Sequence, residues 1–257
     1  MNKSKFITLA ASSLLAMAFI FSCSNESEPL TDSRDGKVYK TVKIGKQIWM
    51  AENLNYDGAE NKDMVVEALK DHFIPYQEDG SLGKCYNNDP ANCKKYGRLY
   101  DWAEAMGSSF GGVYAASFHL SKQNLDDTEY KGICPEGWHL PSYLEWDTLY
   151  RYIDKDIENK LKAKSGWKND NGTDDYNFTA LPSGIYNCFY KNFGKLVLDC
   201  TTQGFNLLGD KGFWWTATEV DASYANNWEI VDLLLLQNKG SKDKATSMSV
   251  RCVKDQK

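Results

Sequence analysis

Several features are scarce in this sequence, and each shortage excludes a class of protein. There are only 3 His, they are scattered, and no C-x-x-C pair occurs, so the usual zinc-ligand spacing is missing. Lys and Arg number 30 against 35 Asp and Glu, a net charge of −5, and no basic cluster indicates a nucleic-acid surface. With 6 Pro and no Pro-rich stretch, no linker divides the chain. We therefore predict one domain with no metal, no cofactor and no nucleic-acid partner.

The N-terminal residues resemble an export signal. Two lysines precede a mostly apolar run, residues 6–21, which is shorter than a comfortable transmembrane span. Cys23 then follows a small residue, as the acylated cysteine does in the bacterial lipoprotein lipobox. We expect a lipoprotein signal peptide over 1–22, lipid attachment at Cys23 and a polar tether over 23–34, with the protein anchored to the outer membrane. The alternative is an ordinary leader in which this cysteine has no role.

The other six cysteines predict disulfides, because an even number in an exported protein usually forms a disulfide framework. Many connectivities are open to six cysteines, and a metal site is the rival interpretation. Spacing favours two short loops and one long one: Cys85–Cys93, Cys188–Cys200 and Cys134–Cys252.

Two helices have sequence signals at their ends. Ser142 and Glu145 form a capping box ahead of an amphipathic segment whose apolar face holds Trp146 and Ile153. A shorter helix is predicted to begin at an Asp101 cap and to end before Gly107.

Strands are predicted on both sides of these helices. A hairpin turns near Gly45, and a second turns near Gly194 between Cys188 and Cys200. The closing strands are predicted at Phe213–Thr218, Asn227–Leu236 and Met248–Val253. Residues 167–177 are predicted to form turns, since the EF-hand ligand positions do not fit; a calcium loop of another kind is the alternative. The pattern indicates one α+β domain over 35–257.

Several motifs resemble the Fibrobacter succinogenes major paralogous domain family, found in exported proteins of Fibrobacter and Bacteroidetes. They follow the family order and span most of the chain: residues 42–45, 47–54, 96–102, 134–142, 171–174, 178–184, 214–219 and 249–253. The resemblance implies a C-type-lectin-like fold in the form shared with formylglycine-generating enzymes. That fold has a twisted antiparallel sheet, two main helices, long loops, and terminal strands that pair. Two segments, Asn61–Gly83 and Phe189–Gly204, look like insertions.

The function expected from these features is non-catalytic binding of a glycan or a surface protein. Aromatic faces beside amides can stack on a sugar and hydrogen-bond to it, and two leucines further along the strand would form an exposed apolar patch. The candidate ligand contacts are Tyr224, Asn226, Asn227, Trp228, Leu234 and Leu236.

Two alternatives belong to other classes. An enzyme like the formylglycine-generating enzymes would need paired reactive thiols, whereas Cys188, Cys200 and Cys252 are expected in disulfides. No G-x-S-x-G or Walker-type sequence occurs. The other alternative is a structural subunit of a surface assembly that docks through Leu233–Leu236.

Overall fold

The computed structural model describes residues 26–58, 81–107, 130–192, 196–231 and 239–256. The strands are β1 Glu26–Thr31, β2 Val38–Ile44, β3 Gln47–Met50, β4 Leu99–Tyr100, β5 Trp138–His139, β6 Ser183–Asn192, β7 Leu196–Leu208, β8 Lys211–Glu219, β9 Tyr224–Val231, β10 Lys239–Asp243, β11 Met248–Ser249 and β12 Val253–Lys254. The helices are α1 Pro90–Tyr96, α2 Trp102–Ala105, α3 Tyr143–Ile153 and α4 Ile157–Leu161, with a 3₁₀ turn at Tyr86–Asn88. Within this part of the chain no helix is both long and apolar enough to cross a membrane.

Within the described residues, the β structure comprises two five-stranded sheets and one hairpin. The sheets have the orders β1-β2-β3-β12-β5 and β10-β9-β8-β11-β4, and β6 pairs with β7. Most pairs are antiparallel, which confirms the α+β prediction at the level of class; β8 and β11 run parallel. Strand β12 pairs with β3, with Val253 opposite Trp49, so the C-terminal strand joins the N-terminal hairpin.

The predicted hairpin at Gly45 joins β2 and β3. Gly45 has φ +61° at the first central position of the turn, where a two-residue hairpin of type II′ requires a positive φ. A Cβ at Gly45 would lie 2.9 Å from the Tyr152 ring, so glycine is also needed for the close approach of α3.

The predicted capping box is present at the start of α3. The Ser142 hydroxyl accepts a hydrogen bond from the Glu145 amide, and the Glu145 side chain accepts one from the Ser142 amide. Asp101 and Glu104 are arranged in the same way at the start of α2. Each box satisfies backbone N–H groups that have no partner within the first turn of a helix.

Strand β8 separates two hydrophobic cores. The side chains of Trp214 and Trp215 point to opposite faces of the strand, and both are fully buried. Trp214 packs with Trp146 of α3 and with Trp228, whose ring stacks on Trp146 at 5.6 Å. Trp215 belongs to the second core, on the opposite face. The sheet is therefore covered on both sides, and the interior is rich in indoles.

The structure corrects the predicted tether over 23–34. Residues 26–31 form β1, which pairs with β2 at the edge of the first sheet, and Leu30 joins the hydrophobic core. Asp32 is fully buried and pairs with Arg34 at 2.7 Å. Polar composition suggested a solvated segment, but the backbone of β2 supplies a partner strand that composition cannot reveal.

The predicted closing strands are also revised. The strand predicted at Asn227–Leu236 begins three residues earlier, at Tyr224. The strand predicted at Met248–Val253 is two strands, because β11 pairs within one sheet and β12 within the other. The chain crosses between the sheets at residues 250–252.

Two disulfides are confirmed. Cys85 pairs with Cys93 and Cys134 with Cys252, with Cα separations of 4.8 and 6.0 Å. The register of the β6–β7 hairpin places Phe189 opposite Asp199, but the side chains of Cys188 and Cys200 lie outside the described residues. Their pairing therefore stays a prediction.

Candidate functional site: a cleft beside the Cys85–Cys93 loop

A cleft opens between the first sheet and the loop that the Cys85–Cys93 disulfide closes. It consists of two neighbouring cavities of about 260 and 330 Å³, near the lower end of the sizes typical of small-ligand sites. Lys37, Asn55, Cys93 and Lys94 line both cavities. The disulfide therefore forms part of the wall and holds α1 in place.

Local sequence explains why α1 forms this wall. Asp89 caps the helix by accepting a hydrogen bond from the Ala91 amide at 2.9 Å, and Pro90 occupies the first helical position. Gly97 follows the helix with φ +77°, and a Cβ there would lie 2.7 Å from the Cβ of Asn53. Glycine at this position lets the end of α1 press directly against the segment after β3 that carries Asn53.

Asn53 holds together the floor of the cleft. Its Oδ1 accepts hydrogen bonds from Trp214 Nε1 and Arg251 Nη2, each at 2.8 Å. Its Nδ2 donates to the Tyr96 carbonyl at 2.8 Å and to Ser249 Oγ at 3.2 Å. One buried amide thus joins β8, α1 and the crossing between the sheets.

Arg251 is fully buried beneath this floor. It donates to Asn53 and to the carbonyls of Phe178 and Thr179, and it lies 4.3 Å from the centre of the Phe178 ring. Burial lowers the pKa of Arg251 to about 9, against the smaller opposing effects of Asp174 and Glu52. This arginine caps carbonyls and does not line the cleft.

The charges at the mouth of the cleft differ in how far they are neutralised. Lys37 Nζ is 2.9 Å from an Asp35 oxygen and donates to the Asn55 carbonyl at 2.6 Å. Arg98 donates to the Leu82 and Gly83 carbonyls and lies 3.7 Å from Asp57. By contrast, the exposed Lys94 side chain has no ion pair or hydrogen bond within the described residues.

Two amides in the cleft also have unused hydrogen-bonding capacity. Asn55 and Asn88 line the second cavity, and within the described part of the chain neither side chain has a hydrogen-bond partner. Asn88 is held with φ +56° in the 3₁₀ turn, a conformation that asparagine tolerates better than most residues. Together with Lys94, these amides can donate to and accept from a polar ligand.

The candidate ligand contacts on β9 are only partly at the surface. Tyr224 is 45% exposed and Asn226 is partly exposed. Asn227 and Trp228 are corrected to interior positions, 0% and 1% exposed, because β9 lies between β8 and β10 and both of its faces are covered at these two positions. Leu234 and Leu236 lie outside the described residues.

The remaining buried acids and His139 are engaged in structural contacts. Glu104 accepts from the amides of Gly83 and Asp101; burial, together with the neighbouring Asp101 charge, raises its pKa to about 7. His139 lies 2.8 Å from both Asp255 and Glu145. Burial alone would raise the pKa of Glu145, but its contacts with His139 and Ser142 lower it. Both ring nitrogens of the buried His139 are therefore engaged in contacts within the fold.

The turn region 167–177 uses its polar side chains locally. Asn171 accepts from the Trp167 amide at 3.0 Å, and Asp174 accepts from the amide and hydroxyl of Thr179. These are turn-forming hydrogen bonds of the kind that Asn and Asp typically make. Within the described residues, no group of three or more His, Cys, Asp or Glu could hold a metal ion.

The residues that form this floor lie within a region that matches a known family. The profile of the Fibrobacter succinogenes major domain matches residues 42–254. The chain belongs to this family. No curated protein and no solved structure matches the chain. The match contains Asn53, Gly97 and Arg251, so the floor of the cleft is made from the family region.

Sequence reasoning missed the cleft because its free polar groups come from three separate segments of the chain. Asn55 follows the first hairpin, Asn88 lies in the Cys-bounded loop and Lys94 lies on α1. The Asn-rich loop between Cys85 and Cys93 was the available signal.

Proposed function

We propose that this protein is an exported, lipid-anchored module that binds a glycan in the cleft and carries out no reaction on it. The observation that carries the proposal is the convergence of Asn55, Asn88 and Lys94 on a disulfide-braced cavity. A saccharide presents many hydroxyls, and amides match them because each offers both donors and an acceptor. A preformed wall also reduces the entropy lost on binding.

The non-catalytic part of the proposal is supported by where the perturbed groups lie. Glu104 and Arg251 have strongly shifted pKa values, but both are sealed inside and bonded to backbone groups rather than directed into the cleft. Chemistry like that of the formylglycine-generating enzymes needs paired reactive thiols, whereas Cys134 and Cys252 are joined in the core.

We also propose the C-type-lectin-like form of the fold. The pairing of β12 with β3 and the two helices with capping boxes support it. Export and outer-membrane anchoring through Cys23 remain part of the proposal, supported by the leader-like residues that precede it.

The test is a binding screen of the detergent-solubilised full-length protein against neutral and acidic oligosaccharides. Asn55→Ala should weaken the binding of any glycan that the wild type retains, because it removes an amide from the cleft. Lys155→Ala, an exposed change at the α3–α4 junction, is the matched control and should leave binding unchanged. If the Asn55→Ala variant retains the oligosaccharide as well as the wild type does, the ligand binds elsewhere and the cleft is not the site.

A further inference from the structure

We infer that the cleft selects a saccharide bearing an anionic group, a carboxylate or a sulfate, and that Lys94 is its anchor. This inference rests on the proposed function and names the class of ligand.

The charge of the cleft is opposite to that of the chain. The protein carries a net charge of −5. The residues that line the two cavities nevertheless include one acid, Glu52, and four cations: Lys37, Lys94, Lys95 and Arg98. An oxygen of Glu52 accepts from the Lys40 amide at 2.8 Å, so part of its acceptor capacity is already used.

These four cations differ in whether an acidic side chain lies near them, and this difference identifies the anchor. Asp35 compensates Lys37, and Asp57 lies near Arg98. Lys95 lies 4.7 Å from the centre of the Tyr96 ring and lines only the first cavity. Lys94 lines both cavities, and its ammonium has no compensating acid within the described residues. A ligand anion in either cavity would therefore lie within reach of Lys94.

The other free groups favour a sugar over an acidic peptide. Asn55 and Asn88 line the second cavity together with Lys94, and the donors and acceptor of their amides are unused within the described residues. A sugar ring places hydroxyls next to its carboxylate or sulfate, so it can use the cation and both amides together. An acidic side chain of a peptide brings an anion but no hydroxyls, so only the peptide backbone could bond to the two amides.

The experiment compares each charged ligand with an uncharged counterpart. Binding of full-length protein is measured for a galacturonic acid oligomer, its methyl ester, a sulfated galactose oligomer and the neutral galactose oligomer. We expect the acidic or the sulfated oligomer to bind, and to bind about tenfold or more tightly than its uncharged counterpart, since hydrogen bonds to charged groups contribute more than neutral ones. Which of the two binds decides between carboxylate and sulfate.

Variants then locate the charge effect. Lys94→Gln should reduce binding of the charged oligomer to the level of the uncharged one, and Lys155→Gln should have no effect. Equal melting temperatures of the two variants would show that the fold is intact, since both lysines are exposed. If Lys94→Gln leaves the binding of the charged oligomer unchanged, Lys94 is not the anchor.

The remaining outcomes separate this inference from the function on which it rests. If charged and uncharged oligomers bind equally and Asn55→Ala weakens both, the selectivity for anions is wrong while glycan binding stands. If a polyglutamate peptide binds as tightly as the acidic oligomer, the saccharide class is wrong. If the wild type retains none of the oligosaccharides, both the inference and the proposed function fail.

Discussion

Asn53→Ala should be among the most destabilising single substitutions in this protein, although it removes only a small polar group. The wild-type amide accepts from Arg251 and Trp214 and donates to the Tyr96 carbonyl. With alanine at this position, the buried guanidinium of Arg251 has fewer acceptors and the indole N–H of Trp214 loses its acceptor. A lost hydrogen bond to a charged group costs about 1.5–3 kcal/mol, and an unsatisfied buried donor about 1–3 kcal/mol.

The expected loss is therefore about 3–5 kcal/mol, a large share of the roughly 5–15 kcal/mol that stabilises a typical domain. Urea unfolding followed by tryptophan fluorescence measures it, and the midpoint should fall at a nearly constant slope. Asn55→Ala is the control, because it changes the same residue type two positions away where the side chain has no partner within the described residues. Its effect should stay within about 0.5 kcal/mol.

Asn53→Asp distinguishes the acceptor from the donor role of this amide. Aspartate keeps acceptors for Arg251 and Trp214 and adds a charge next to the guanidinium, but it cannot donate to the Tyr96 carbonyl. We expect a loss between those of the two alanine variants. A loss below about 1 kcal/mol for Asn53→Ala would contradict the role we give to this network.

Four further predictions concern other parts of the chain. The pKa of Glu104 is raised from 4.5 to about 7 in the folded state, so its contribution to stability is fully present below about pH 4.5 and is lost as the pH rises to about 7. The unfolding free energy of the wild type should therefore fall over that range. Glu104→Gln should make the fall smaller, as measured by urea titrations at pH 5.0 and 7.5. Gly45→Val should destabilise the β2–β3 hairpin by more than about 1 kcal/mol, because it forces a β-branched residue to a positive φ against the Tyr152 ring; an unchanged melting temperature would contradict this reading. Metabolic labelling with a fatty acid should mark the wild type and not Cys23→Ala, and unlabelled wild-type protein in the membrane-free fraction would exclude the anchor. Non-reducing peptide mapping should recover Cys188–Cys200 alongside the two disulfides of the structure, and free thiols at both positions would refute the pairing.

Features that depend on residues close together in the chain could be predicted from the sequence. The capping boxes at Ser142 and Asp101 are such features, because a side chain bonds to an amide three residues away. The Gly45 turn is another, since a tight hairpin requires a positive φ at that position. The Cys85–Cys93 pair closes a loop short enough for spacing alone to favour it. Family membership was also readable, because its motifs follow one another in order along the chain.

Tertiary structure decided everything that depends on pairing between distant segments. Composition marked residues 26–31 as a tether, yet a free edge of β2 turned them into a strand. Trp228 was predicted to contact a ligand, yet the cover that α3 gives to the sheet buries it. The cleft follows the same logic, because Asn55, Asn88 and Lys94 meet only where Gly97 lets α1 approach Asn53. Sequence patterns record which backbone conformation each short segment prefers, whereas a binding site is defined by which segments the fold brings together.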